Sequence, residues 1–336
     1  MKTTLYLSPW IKRFLLEYLI SIRNLSKNTQ LSYRDTFRLL LPFAAKKKKR
    51  TIDKLLVEDI TPDIIKAFLT ELETVRNCSP STRNQRLSAI HAFAKFIGIN
   101  SPEHVEWCRQ VQMIPFKRAK RTLITYLEKS EMDTLLNAPD RKTDQGRRDY
   151  ALLLFLYNTG ARADETAQLK VSDVNIFTAS KRELATVLIR GKGNKPRRCP
   201  LWQQTALELN TIITKRMPSE QIFLNRLKQP LTRFGIHAMV KRYVEQVAQQ
   251  LPSIKKKKVS PHTIRHTTAT HLLQAGVDIN TIRAWLGHVS INTTNIYAEV
   301  DLEMKARALA CCEIEESNTP THWKNDKDLM IFLDNL

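Results

Sequence analysis

Cysteine is scarce and scattered: five in a chain of 336 residues, at Cys78, Cys108, Cys199, Cys311 and Cys312, with no C-x-x-C pair. That set excludes a disulfide framework and a zinc ribbon and fits a reducing interior. Long apolar runs are missing as well. The N-terminal stretch MKTTLYLSPWIKRFLLEYLI is broken by Lys12, Arg13 and Glu17 and lacks a small-residue cleavage site. It reads as an amphipathic helix and not a signal peptide, and no run reaches the length of a membrane span. Neither H-E-x-x-H nor G-x-x-x-x-G-K-[ST] occurs, and no Glu or Cys falls at ligand spacing from His262, His266 and His271. No metal and no cofactor is therefore expected. Acidic residues are the last shortage: 33 Asp and Glu face 54 Lys and Arg, a formal net charge of +21. Such an excess calls for a polyanionic partner, nucleic acid first among them, although ribosome-like binding or an anionic membrane surface would explain the charge alone equally well. With neither a signal peptide nor a membrane span, the expectation is a cytoplasmic or nucleoid-associated protein with no membrane partner.

What is present is a folded chain. Hydrophobic residues make up 42% of it, and its length suits about two domains. Residues 1–112 read as a bundle of four or five helices. Trp10, Phe14, Leu15, Tyr18, Leu19 and Ile22 recur with helical period. Leu25 to Ala45 carries a second stripe, through Tyr33, Phe37, Leu40 and Leu41. Thr61-Pro62 and Ser79-Pro80 each pair a cap with a proline at the first helical position. The run Lys46 to Arg50 reads as a solvated loop, with phosphate contact as its alternative. Arg83 and Arg86 are three apart on one face, either surface arginines or phosphate contacts. The basic, proline-marked stretch IPFKRAKRT lies in an interdomain linker, 113–125.

A second domain, 126–312, follows. Arg147 to Asn158 is apolar enough for a buried helix, stopped at Thr159-Gly160, and ARADETAQL opens the next. Glu165, three residues beyond Arg162, is placed to brace that arginine or the helix start. Glu183 to Arg190 alternates like a strand, GKGNK turns, and Arg197 to Leu201 returns as its partner. Ser260-Pro261 caps a helix that runs to Gly276, with His262 and Arg265 on one face near its N-terminus. Ile279 to Leu286 is a further helix, ended at Gly287 and delivering His288. Tyr297 comes nine residues later, which on one unbroken helix is about half a turn and the opposite face. The turn chemistry of Ser290, Asn292 and Thr293 instead starts a new helix that can fold back. An arginine, two histidines and a tyrosine then converge. Residues 313–336 form an acidic tail ending in LMIFLDNL, an amphipathic segment suited to a subunit contact.

The stretch from HTIRH through LGH to Tyr297, together with TGARADETAQL, resembles the tyrosine recombinase (phage integrase) family, close to its Xer-type members. LSKNTQLSY and SPSTRNQRLSAIHAF resemble the family's core-binding domain. The resemblance implies a mainly α protein with a small β-hairpin or sheet in its catalytic domain, behind an N-terminal helical, SAM-like core-binding domain. It implies a catalytic set of Arg162, Lys192, His262, Arg265, His288 and the nucleophile Tyr297. An ordinary basic hairpin tip is the other reading of Lys192, and Lys195 is its nearest rival. DNA contacts are expected from Lys27, Arg83, Arg86, Lys117 and Arg118. The implied activity is strand cleavage and rejoining through a 3′-phosphotyrosyl link, by four subunits on two duplexes, with a second recombinase or a DNA-bending protein as further partners. The high basicity, divergent first half and added tail favour an integrase or transposase of a mobile element over a Xer-type chromosome or plasmid resolvase. A type IB topoisomerase and a catalytically silent DNA-binding regulator are the remaining alternatives.

Overall fold

A computed structural model describes residues 6–118, 124–176, 185–191 and 195–287, together with 331, 334 and 335. Lys192, His288, Tyr297 and almost all of the tail lie outside the described residues. The chain divides into two compact units, Met1–Thr122 and Leu123–Leu336, each with its own core.

The first unit is helical: α1 (Leu7–Arg13), α2 (Lys27–Lys48), α3 (Pro62–Thr74), α4 (Pro80–Asn100) and α5 (Val105–Gln112). The hydroxyls of Thr61 and Ser79 accept the backbone N–H groups of Ile64 and Thr82, so both predicted caps form. Phe14, Phe37 and Phe93 meet edge-on at the centre. Three local expectations change. Beyond α1 the helix winds as a π-helix over Phe14–Ile22. The i→i+5 winding turns the apolar face away from the expected stripe, leaving Phe14 and Leu19 buried and Ile22 70% exposed. Lys46, Lys47 and Lys48 form the last turn of α2 and not a loop, where the helix dipole favours cations. Arg83 is buried, 7% exposed, and donates to the Pro115 carbonyl at 3.0 Å.

Asn84 extends that tie. Its Oδ1 accepts the Lys117 N–H at 3.0 Å and its Nδ2 donates to the Lys117 carbonyl at 2.7 Å. With Ile114 in the core and Lys117 paired to Glu73, the start of the expected linker is fastened to α4 and α3.

The second unit comprises α6 (Lys129–Asn137), α7 (Asp144–Thr159), α8 (Ala163–Ala167), strands β1 (Val174–Asn175), β2 (Thr186–Arg190) and β3 (Pro196–Pro200), then α9 (Gln203–Ile213), α10 (Arg233–Val247), α11 (Pro252–Lys255), α12 (Pro261–Gln274) and α13 (Ile279–Leu286). The strands form one antiparallel sheet in the order β1-β2-β3, with Leu188 opposite Arg198. The predicted hairpin is there, and β1 is an addition too short to show a period. Along α7 every residue from Asp149 to Thr159 is buried, as an apolar run without a polar face requires. No helix among the described residues is long and apolar enough to cross a membrane.

Removing the Arg83 side chain unfastens the segment behind α5. An Arg83→Ala variant is expected to be nicked by trypsin after Lys117 or Arg118 at least about threefold faster than wild type under native conditions, read from the early digestion time course.

Candidate active site

The site begins with two helix ends. Gly160 closes α7 in the left-handed region, φ +59°, and Gly287 closes α13 the same way, φ +66°. A β-carbon on Gly160 would lie 2.5 Å from the Leu286 side chain, so glycine supplies both the backbone conformation and the space in which the two ends meet. The last carbonyls of a helix have no partner inside it, and they concentrate its negative dipole end.

Arg265 answers both. It lies on the first turns of α12 and is 1% exposed. Its Nη1 donates to the Gly160 carbonyl at 2.6 Å and its Nη2 to the Leu286 carbonyl at 2.7 Å. The helix itself is set by Ser260, which caps the Thr263 N–H ahead of Pro261. One buried cation thus joins the loop entering Arg162 to the turn entering His288.

Arg162 is the N-cap of α8, with its side chain 37% exposed. Its backbone N–H donates to Glu165 Oε2 at 3.0 Å and its Nη1 to Glu165 Oε1 at 2.6 Å, the bracing expected of Glu165. A second cation meets that carboxylate: Arg197, on β3, donates through Nη2 to Oε2 at 2.7 Å and through Nε to the Trp285 carbonyl at 2.9 Å. Burial pushes the Glu165 carboxyl up, but the bonds from Arg197 and Arg162 outweigh it and hold the group below its ordinary range. The indole of Trp285 donates to the Asn158 carbonyl at 3.2 Å, which ties α13 to α7 once more.

His262 stands exposed on α12, one turn from Arg265. Desolvation of its ring, then the charges of Arg265 and Arg162, lower its pKa and favour the neutral imidazole. The His266 ring meets it edge-on at 4.4 Å and is pushed by burial, His262 and Arg265 down to about 4. His271 accepts or donates at 2.7 Å with the Tyr157 hydroxyl, on the far part of α12.

Of the six residues expected to act together, Arg162, His262 and Arg265 share one neighbourhood. Lys192, His288 and Tyr297 lie outside the described residues, although Gly191 and Gly287, their immediate predecessors for the first two, flank Arg197. Lys195 is exposed, its carbonyl accepting the Gly191 N–H at 2.9 Å. The five residues expected to contact DNA all lie in the first unit. Lys27 and Arg118 are exposed. Arg83 and Lys117 make the contacts given above, and Arg86 donates to the Ser32 carbonyl and Thr36 hydroxyl of α2 at 3.0 and 3.2 Å. Sequence reading passed over Arg197. Its signal is strand alternation: it shares a face with buried Cys199, and a guanidinium on an inward face needs a carboxylate.

Comparison with known proteins follows the same lines. Residues 125–304 match the Phage integrase family, and residues 11–98 match the Phage integrase, N-terminal SAM-like domain. The chain is 38% identical over 332 residues, 98% of each protein, to the integrase/recombinase y4rC of Sinorhizobium fredii. It is 30% identical to the tyrosine recombinase XerC of Bacillus licheniformis over 88% of this chain and 94% of the relative. Among solved structures, the Tn1549 transposon integrase in complex with circular intermediate DNA aligns at TM-score 0.67, covering 89% of this chain and 98% of that one at 17% identity. The XerH recombinase bound to difH substrate aligns at 0.64, covering 87% and 81% at 23% identity. Those two likenesses establish a common fold.

Two outcomes follow from the site's packing. Gly287→Ala forces a side chain into a left-handed position, with its β-carbon 3.0 Å from Arg197 Cδ, and should cost about 1–3 kcal/mol of stability by urea titration. Unfolded histidines take up protons near pH 6.5, whereas native His266 resists them to about 4. Stability is therefore full above that upper value and lost as pH falls through the interval. Urea midpoints at neutral and mildly acidic pH should show the drop, and His266→Gln should shrink it.

Proposed function

The chain belongs to the phage integrase family and is a tyrosine recombinase, and on that premise we propose that Arg162, Lys192, His262, Arg265, His288 and Tyr297 together cut and rejoin DNA. Tyr297 attacks the scissile phosphorus. The P–O5′ bond breaks as the phenol oxygen bonds to phosphorus, which leaves the strand's 3′ end on the tyrosine and releases a 5′-hydroxyl. Lys192 gives the departing oxygen its proton. Arg162 and Arg265 hold the non-bridging oxygens as charge gathers on them, because guanidinium keeps its charge at every relevant pH and matches phosphate geometry. His262 and His288 hold phosphate oxygens and assist proton movement. Attack by the 5′-hydroxyl of a partner strand reverses the step with exchanged partners. The phosphodiester bond energy is kept in the tyrosyl link, so the exchange proceeds without a nucleotide cofactor.

The observation that carries this reading is the Arg265 bridge between the Gly160 and Leu286 carbonyls. It gathers onto one buried cation the chain segments that enter Arg162 and His288.

We propose further that the protein acts in the cytoplasm as the integrase or transposase of a mobile element, as a tetramer on two duplexes. Lys27, Arg83, Arg86, Lys117 and Arg118 are assigned to the face of the first unit that meets DNA, Arg83 and Arg86 by shaping that face from within. Full-length similarity at 38% to a protein named integrase/recombinase supports the mobile-element reading. Similarity to XerC supports a resolvase as the second reading.

The test is covalent trapping on nicked duplexes tiled across the DNA flanking the gene. Wild type should yield a protein–DNA adduct resistant to denaturation. Tyr297→Phe should bind the same duplexes within about threefold and yield none, and an adduct of undiminished amount would remove Tyr297 as nucleophile. Sequenced junctions then separate the two biological readings: circles carrying the gene itself mark an element, and resolved dimers mark a resolvase.

A further inference from the structure

Arg197 joins three parts of the site from a buried position, and we propose that it is a positioning residue that keeps the positive charge of Arg162 available to the DNA phosphate. The inference rests on the recombinase reading above and adds a residue to it.

The side chain of Arg197 is 8% exposed and that of Glu165 is 6% exposed. Glu165 carries one negative charge and is engaged by two guanidinium groups, Arg162 at 2.6 Å and Arg197 at 2.7 Å. The trio is therefore a net cation. Were Arg197 absent, a buried carboxylate would keep Arg162 as its sole positive partner among the described residues. An uncompensated buried charge is costly, so Arg162 would be drawn further onto Glu165, and the pair would present no net charge to an incoming phosphate. Arg197 prevents that by taking its own share of the carboxylate.

Its other contacts set where this happens. Nε holds the Trp285 carbonyl at 2.9 Å, and Cys199, two residues along the same strand face, donates its thiol to that carbonyl at 3.5 Å. Around the guanidinium stand two glycines. A β-carbon on Gly287 would lie 3.2 Å from Nη1, and one on Gly191 would lie 3.5 Å from it. Arg197 thus fits between the residue before Lys192 and the residue before His288 while it braces the brace of Arg162. It acts on the reaction through these neighbours and is given no contact with the reacting atoms.

The test is a double-variant cycle on a nicked duplex that wild type converts to adduct. Arg197→Met should slow single-turnover adduct formation by about 30-fold or more, with gel-shift affinity changed by less than about threefold. Adding Glu165→Gln removes the charge that holds Arg162 but keeps an oxygen for its backbone N–H. The double variant should then regain about tenfold over Arg197→Met. A purely structural role predicts the opposite, a second loss on top of the first. Should Arg197→Met not fold by circular dichroism, Arg197→Lys and Arg197→Gln are compared, and the lysine should be about tenfold faster because it still neutralises Glu165. Cleavage by Arg197→Met within about threefold of wild type, a double variant no faster than the single one, or a lysine no faster than glutamine overturns the proposal. Wild type forming no adduct on any duplex counts against the recombinase reading itself.

Discussion

Two helices end against each other in the second unit, and the meeting is stable because one buried guanidinium satisfies both ends. The C-termini of α7 and α13 each present unpartnered carbonyls and a negative dipole end. Brought together without compensation they would repel, and their carbonyls would be desolvated at a cost of about 1–3 kcal/mol each. Arg265 supplies a hydrogen bond to each and a full positive charge between them. The glycines at positions 160 and 287 follow from this, since each helix must turn off sharply in the left-handed region to leave the carbonyl aimed inward.

A second arginine repeats the device one step outward. Arg197 caps α13 at Trp285 while it pairs with Glu165, so the sheet, α8 and the end of α13 share a single network of charge. In the first unit, Arg83 donates to a carbonyl at the foot of α5 and Arg86 to one on α2. Part of the chain's positive charge is thereby used internally, and net charge alone overstates how much of it faces solvent. Long guanidinium side chains suit that work because they bury an aliphatic stem and still reach a carbonyl.

This explains what could be read in advance and what could not. Helix starts were legible where a hydroxyl precedes proline, at Thr61, Ser79 and Ser260, because the cap interaction is local and closes within four residues. The stops at Gly276 and Gly287 were legible for the same reason. The hairpin around GKGNK followed from alternation, and the bracing of Arg162 by Glu165 from a spacing of three. The roles of Arg83, Arg86 and Arg197 were not legible, since their partners lie 32, 54 and 32 positions away. The π-winding after Arg13 was hidden because an apolar stripe at i, i+4 and one at i, i+5 overlap over two turns.

The bridge at Arg265 also makes the two carbonyls it holds interdependent. Drawing the chain after Leu286 away, by whatever agent, weakens a bond on the same cation that steadies Gly160, and a shift of the Gly160 loop is felt equally at Leu286. Linkage of this kind is reciprocal: the free energy by which a rearrangement on one side disfavours the other is the same in either direction.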